Sequence, residues 1–185
     1  MGPKIPQNTM DDTLLMMRAR EDDLVAFEIL VTRHQKMLLN YFARTGVQYD
    51  GEDLVQQTFL RLYRYRKRYK PTAKVTTFLF LLARQVWIDE LRRRKRFTRL
   101  KEGLTAEIRT EAYEPAAAEG LTTGVMDLPQ ALARLPEGLR QVVELGVYQE
   151  LPYAEIGQIL KIPVGTVKSR MFHALAKLRL FLEEK

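Results

Sequence analysis

The chain has 185 residues, 46% of them apolar, with no cysteine, a net charge of +7 and a pI near 9.7. That length suits one or two domains, and the missing thiols exclude disulfides, thiolate nucleophiles and cysteine-bound metal. No run of 18 apolar residues occurs, and the opening MGPKIPQNTMDD lacks the apolar centre of a signal peptide, so no membrane insertion is expected and the expected location is the cytoplasm.

The apolar periodicity is helical along the chain, without strand-like alternation or a fixed repeat, so the expected class is all-α. Asp11 and Asp12 can cap a short first helix carrying Leu14, Leu15 and Met16. Asp22 and Asp23 can cap a long second one, with a stripe of Leu24, Phe27, Leu30, Val31, His34, Met37, Leu38 and Tyr41, ended by Gly46. Asp50-Gly51-Glu52-Asp53 opens a third helix with Leu54, Val55, Thr58, Phe59 and Leu62 inside. Asp53, Gln56, Gln57 and Leu60 fall on its opposite side.

A cationic loop from Arg64 to Thr77 follows, holding Tyr65, Tyr69 and Pro71. The fourth helix is expected from about Lys74 to Phe97, with Phe78, Leu82, Val86 and Leu91 inside and Arg92-Arg93-Arg94-Lys95-Arg96 at its end. From Arg61 to Lys101 there are fifteen Lys and Arg against Asp89 and Glu90; from Glu102 to Asp127 there are six acids against Arg109. So abrupt a reversal points to a polyanion-binding surface rather than to an ordinary solvated face. Aromatics at helical spacing pack more often than they bind, so Phe78, Phe80 and Trp87 are expected in the core. Tyr69 lies among cations, which makes it the better candidate to stack on a base.

Residues 98–126 read as a flexible linker, rich in Ala, Glu, Gly and Thr. A second helical unit begins at Asp127 and Pro129, with Leu132, Leu135, Leu139, Val142, Val143 and Leu145 as its core. It ends in two helices joined by Lys161-Ile162-Pro163. Ile156, Ile159 and Leu160 line the first; Val167, Met171, Ala174, Leu175 and Leu178 line the second. Lys168, Ser169, Phe172 and His173 share another face near the start of that second helix, and Arg170 lies further round. This is the layout of a helix-turn-helix, which sets N-terminal side chains of its second helix against base edges in the major groove. The expected architecture is therefore two small helical domains, 1–97 and 127–185, joined by the linker, the C-terminal one a helix-turn-helix.

In this order, several motifs resemble the sigma factors of bacterial RNA polymerase, in particular the extracytoplasmic-function group of the sigma-70 family. They are Asp53-Leu54-Val55-Gln56-Gln57-Thr58-Phe59, then Ala83-Arg84-Gln85 followed by Asp89 and Arg92-Arg93, then Leu135-Pro136 and Pro163-Val164-Gly165-Thr166-Val167-Lys168-Ser169-Arg170. The resemblance spans nearly the whole chain. It implies that 1–97 is region 2, which binds core polymerase and reads and melts the −10 element, and that 127–185 is region 4, which reads the −35 element. Asp53, Gln56 and Gln57 match the clamp-binding positions. Tyr69, Lys70, Arg84 and Gln85 match the −10 reader, and Lys168, Ser169, Arg170, Phe172 and His173 the −35 reader. The implied partners are the clamp and flap of core RNA polymerase, promoter DNA and an anti-sigma factor; no cofactor or metal is implied. Phe78 stands where the family usually has Trp, Gln85 where it has Asn, and His173 where it often has Arg. The last two fall at base-reading positions, so the promoter sequence does not carry over from relatives.

Catalysis would have to use Asp50, Glu52, Asp53 or Asp89 with His34 or His173. Carboxylates at a helix start serve more simply as caps aligned with the helix dipole, and His34 lies on an apolar stripe. With no nucleophile motif, phosphate loop or zinc spacing, no enzyme is expected. The alternative is a stand-alone helix-turn-helix regulator that dimerises through its first domain. The cationic loop and Arg92 to Arg96 argue against it, because dimer interfaces are poor in charge.

Overall fold

The computed structural model describes residues 10–45, 51–104 and 127–183, and every regular element among them is a helix. Local capping explains where several begin. The Asp11 carboxylate accepts a hydrogen bond from the Thr13 N–H at 3.1 Å and starts α1 (Asp12–Arg20). Asp23 accepts from the Ala26 N–H at 3.0 Å and starts α2 (Leu24–Arg44). Each such cap contributes about 1 kcal/mol. Asp22 does not cap. It takes a positive φ of 67° and turns the chain between the two helices, a conformation that Asp tolerates better than most residues.

The helices α1 and α2 pack together, with Leu15, Met16 and Ala19 buried on one and Ala26, Leu30, Leu38, Tyr41 and Phe42 on the other. Next comes α3 (Gly51–Tyr65), which buries Leu54, Val55, Thr58, Phe59 and Leu62 and runs straight into a 3-10 turn, Arg66–Arg68. Thr58 spends its hydroxyl on the Leu54 carbonyl at 2.8 Å, so it is buried without an unpaired donor. Aromatic contacts tie in α4 (Val75–Leu104). The Tyr41 ring lies 5.3 Å from Phe80, and Phe78 lies 5.0 Å from Tyr65 and 6.3 Å from Tyr69. Phe80 and Trp87 are buried, as packing residues should be.

A second compact unit contains α5, α6 and α8. Asp127 caps α5 (Leu128–Arg134) through the Gln130 N–H at 3.0 Å. Leu135-Pro136 interrupts the helix, since proline cannot continue the backbone ladder. Then come α6 (Glu137–Val143) and a single π-helical turn, Glu144–Tyr148. After them, α7 (Tyr153–Leu160) and α8 (Val164–Glu183) are joined through Lys161, whose φ is +54°. Pro163 sits just before α8, and its carbonyl accepts the Val167 N–H at 3.1 Å. Against α5 and α6 packs α8, with Val167, Met171, Ala174 and Leu178 buried.

Four expectations need correction. The fourth helix does not end at Phe97 but continues to Leu104, because a run of Arg and Lys costs a solvated helix little propensity. The third helix continues through Arg64 and Tyr65 instead of ending in a loop there. Leu24 and Leu175, assigned to buried stripes, are 60% and 50% exposed. Leu139, assigned to the core of the second unit, is only half-buried. Gly46, Asp50 and residues 105–126 of the expected linker lie outside the described residues.

Candidate nucleic-acid interface

Three surfaces carry the predicted site residues. On α8, Val167 and Met171 anchor one side of the helix inward, which turns Lys168, Ser169, Phe172 and His173 to solvent. Phe172 is 71% exposed, more than any other large apolar side chain described. Exposing a phenyl ring to water forgoes on the order of 2 kcal/mol of burial, and here the ring stands beside a Lys, a Ser and a His on one exposed face. Arg170 differs from these four. It is half-buried, and a Cβ placed on Gly138 would sit 3.2 Å from its Nη1. Its guanidinium therefore lies across the first turn of α6, made possible by the missing side chain there. The sequence places Arg170 further round the helix, and the structure supplies the reason that it stays there.

On α3, Asp53 and Gln56 are exposed and Gln57 is partly so. The Gln57 amide donates to the Asp53 carboxylate at 2.8 Å, one helical turn away. Gln56 is left beside them with donor and acceptor facing outward, and Leu60 follows on the same side, 53% exposed. A polar face edged by one leucine can dock on a partner without burying a lone charge.

The third surface surrounds the α3–α4 connection. Lys70 is exposed, while Arg84 and Gln85 are half-buried on α4. Tyr69 is not available in the way expected. Only 3% of it is exposed. Burial pushes its phenol above the usual 10; the Thr13 hydroxyl works against this, and the Asp11 and Asp12 carboxylates add to it. The ring is thus covered from the α1 side, a contact between residues more than fifty positions apart that composition cannot reveal. The accessible aromatic is Tyr65, 42% exposed and seated on Phe78. Its cationic neighbourhood was visible in the sequence, but its place on the last turn of α3 was not.

Several ion pairs join residues whose partners the sequence alone does not give. His34 is buried and its Nε2 lies 2.7 Å from Asp12, which also pairs with Arg33. Burial raises the Asp12 carboxyl, but the hydrogen bonds and charges of His34 and Arg33 outweigh that and hold it below its usual value. On α4, Glu90 is 5% exposed and accepts from Arg93 at 2.7 and 3.0 Å and from Arg94 at 2.7 Å. The hydrogen bond from Arg93 lowers its carboxyl, against burial, and Arg94 adds to the lowering. Asp89 reaches Arg92 at 3.5 Å. Three members of the basic run are thereby paired along their own helix. Among the described residues no group of three His, Asp or Glu could hold a metal ion, and no helix is long and apolar enough to cross a membrane.

Two family models match the chain: Sigma-70 region 2 over residues 30–97, and Sigma-70, region 4 over residues 126–178. The chain is 30% identical over 176 residues to the ECF RNA polymerase sigma-E factor of Escherichia coli K12, covering 89% of this chain and 91% of that one. It is 29% identical over 171 residues to the ECF RNA polymerase sigma factor SigW of Bacillus subtilis, covering 88% and 91%. Among solved structures, the sigma factor RpoE of Bartonella quintana, in complex with the anti-sigma factor NepR, shares the fold. Its TM-score is 0.68 at 21% identity, over 86% of this chain and 98% of that one. CnrH, in complex with the cytosolic domain of CnrY, gives a TM-score of 0.67 at 24% identity, over 93% and 97%.

Proposed function

The chain belongs to the extracytoplasmic-function group of the sigma-70 family and acts in transcription initiation, and from that premise we propose how its residues divide the work. Residues 1–97 form region 2 and residues 127–185 region 4. The helix α8 reads the −35 element, with Lys168 donating to guanine O6 or N7, Ser169 to a base or phosphate, and Phe172 packing on a thymine methyl. His173 supplies one donor, or two when protonated. Arg170, held on Gly138, meets the phosphate backbone and fixes the helix in register, a positioning contact rather than a reading one.

The face made by Asp53, Gln56 and Gln57 docks on the clamp of core polymerase. Around the α3–α4 connection, Lys70, Arg84 and Gln85 face the −10 strand. Tyr65 provides the accessible stacking surface, and Tyr69 holds the connection against α1. Binding extruded bases calls for an aromatic platform flanked by cations, which these residues supply. An anti-sigma factor is a further partner, as it is for the Bartonella quintana relative. The chain works in the cytoplasm, carries no catalytic activity of its own and leaves phosphodiester chemistry to the polymerase.

The observation that carries the reading is the 71% exposed Phe172 beside Lys168, Ser169 and His173 on the second helix of a helix-turn-helix. The test is transcription in vitro with core polymerase on a library of promoter fragments. Defined transcript starts that require both the chain and a shared pair of upstream elements are expected. Tight duplex binding by the chain alone, without polymerase-dependent starts, would instead favour a stand-alone regulator.

A further inference from the structure

The connection between α3 and α4 opens with three consecutive cations, Arg66, Lys67 and Arg68, and a single carboxylate engages two of them. Asp22 Oδ1 accepts from Arg66 Nη2 at 2.8 Å, and Asp22 Oδ2 accepts from the Lys67 ammonium. One planar anion thus presents an oxygen to each cation, as the two free oxygens of a phosphodiester would. The two sides of this contact are not equally fixed. The Arg66 guanidinium lies 3.6 Å from the centre of the Tyr63 ring and donates to the Tyr63 carbonyl at 2.8 Å. Its side chain is 14% exposed, whereas that of Asp22 is 59% exposed.

The cation is therefore built in, and the anion is the member that water reaches. The Asp22 backbone is pinned at the α1–α2 corner, its N–H bonded to the Ala19 carbonyl at 3.1 Å. Only its side chain has to rotate for the pair to open. Exposed ion pairs contribute little, so a nucleic-acid phosphate can displace this one readily.

We propose that Arg66 and Lys67 form a phosphate-binding site for single-stranded DNA, which Asp22 fills in the DNA-free chain and vacates when a strand arrives. The proposal rests on the assignment of the α3–α4 connection to the −10 strand. It gives the chain a means of ignoring stray nucleic acid: a strand must first evict an internal competitor, so its net gain on binding falls. The competing role, in which Asp22 only braces the connection against the α1–α2 corner, makes the opposite prediction. Losing a brace weakens strand binding, whereas losing a competitor strengthens it.

The test is a titration of the full chain with a short oligothymidine across a series of salt concentrations. Asp22→Asn should bind about two- to fivefold tighter at low salt, and the slope of log K against log salt should steepen by about 0.7 for each phosphate newly neutralised. Asn accepts the positive φ at this position, and Asp22→Gly, which accepts it more readily still, should behave alike. Lys67→Gln should weaken binding by itself and should remove most of the gain when combined with Asp22→Asn. If Asp22→Asn and Asp22→Gly keep the native unfolding temperature yet bind no tighter, the competitor role is overturned while the strand assignment survives. If Lys67→Gln, Lys70→Gln and Arg84→Gln all leave binding unchanged, the strand assignment falls and the proposal with it.

Discussion

The rings of Phe172 and His173 stand edge to face on α8, their centroids 5.7 Å apart and their planes inclined by 75°. Both rings are exposed outside the packed face of the helix, so under the proposed reading they meet the −35 element side by side. His173→Arg replaces a ring nitrogen with a two-pronged donor, and a bidentate contact to guanine discriminates by roughly 1–3 kcal/mol. The expected outcome is a changed preference at one or two −35 positions with the −10 preference unchanged. Selection from randomised promoters checks this, and identical −35 logos for the two proteins would remove α8 as the reader.

Phe172→Ala separates reading from folding. Because the ring is mostly in water, its loss should change stability by no more than about 0.5 kcal/mol. Transcription from promoters that depend on the −35 element should drop severalfold. Thermal unfolding and run-off transcription measure the two effects independently.

On the opposite unit, Gln56→Ala combined with Asp53→Arg should leave the helical circular dichroism and unfolding temperature intact, since both positions are exposed. Affinity for core polymerase should fall at least tenfold, about 1.4 kcal/mol. Part of that loss reflects the freed Gln57 amide, which now donates to Asp53. A competition titration against the wild-type chain reads the difference.

Tyr65 and Tyr69 give opposite expectations. Tyr69→Ala empties a buried site and should cost about 3 kcal/mol of stability, with DNA effects following from the loss of fold. Tyr65→Ala should cost only about 1 kcal/mol of stability, from its lost contact with Phe78, and reduce permanganate reactivity of thymines in the open complex, because a base stack worth about 1–3 kcal/mol is gone. Normal thymine reactivity with Tyr65→Ala would rule it out as the platform.

Asp12 makes the stability of the first unit sensitive to acid. Its carboxyl sits below its usual 3.8, so the stability it contributes is fully present above that pH and is lost as pH falls through the folded-state value. Glu90, in the second compact unit, is lowered too. Asp12→Asn should therefore lower stability by about 1 kcal/mol near neutrality, allowing for its partial exposure. The deficit should shrink as urea unfolding is repeated toward pH 3. A deficit that stays constant with pH would mean that packing, not charge, holds α1 to α2.

How much could be read in advance depended on how local each cause is. Asp11, Asp23 and Asp127 cap the helices that they were expected to cap, because an N-cap needs only its own next three residues. The outward placement of Lys168, Ser169, Phe172 and His173 followed from helical periodicity against four apolar positions. Tyr69 was misread because α1, far away in sequence, covers it. The pairings of Asp22 with Arg66 and of Asp12 with His34 were invisible for the same reason. Leu175 shows the limit from the other side: its spacing fits the buried face, yet among the described residues it stays 50% exposed.

The π turn at Glu144–Tyr148 sets a count rather than a contact. It holds one more residue than an α-helical turn would, so deleting a single residue there would heal the hydrogen-bond register while swinging everything downstream by roughly 100°. Gly146 lies inside this turn, where an added Cβ would come within 2.5 Å of Met171 Cε, so the extra residue and the bare backbone come together at one spot. The bearing of α8 is thus partly encoded as chain length. Substitutions along α8 change side chains in place, but an insertion or deletion in the turn, 25 to 29 residues before His173, would change which way that whole helix faces.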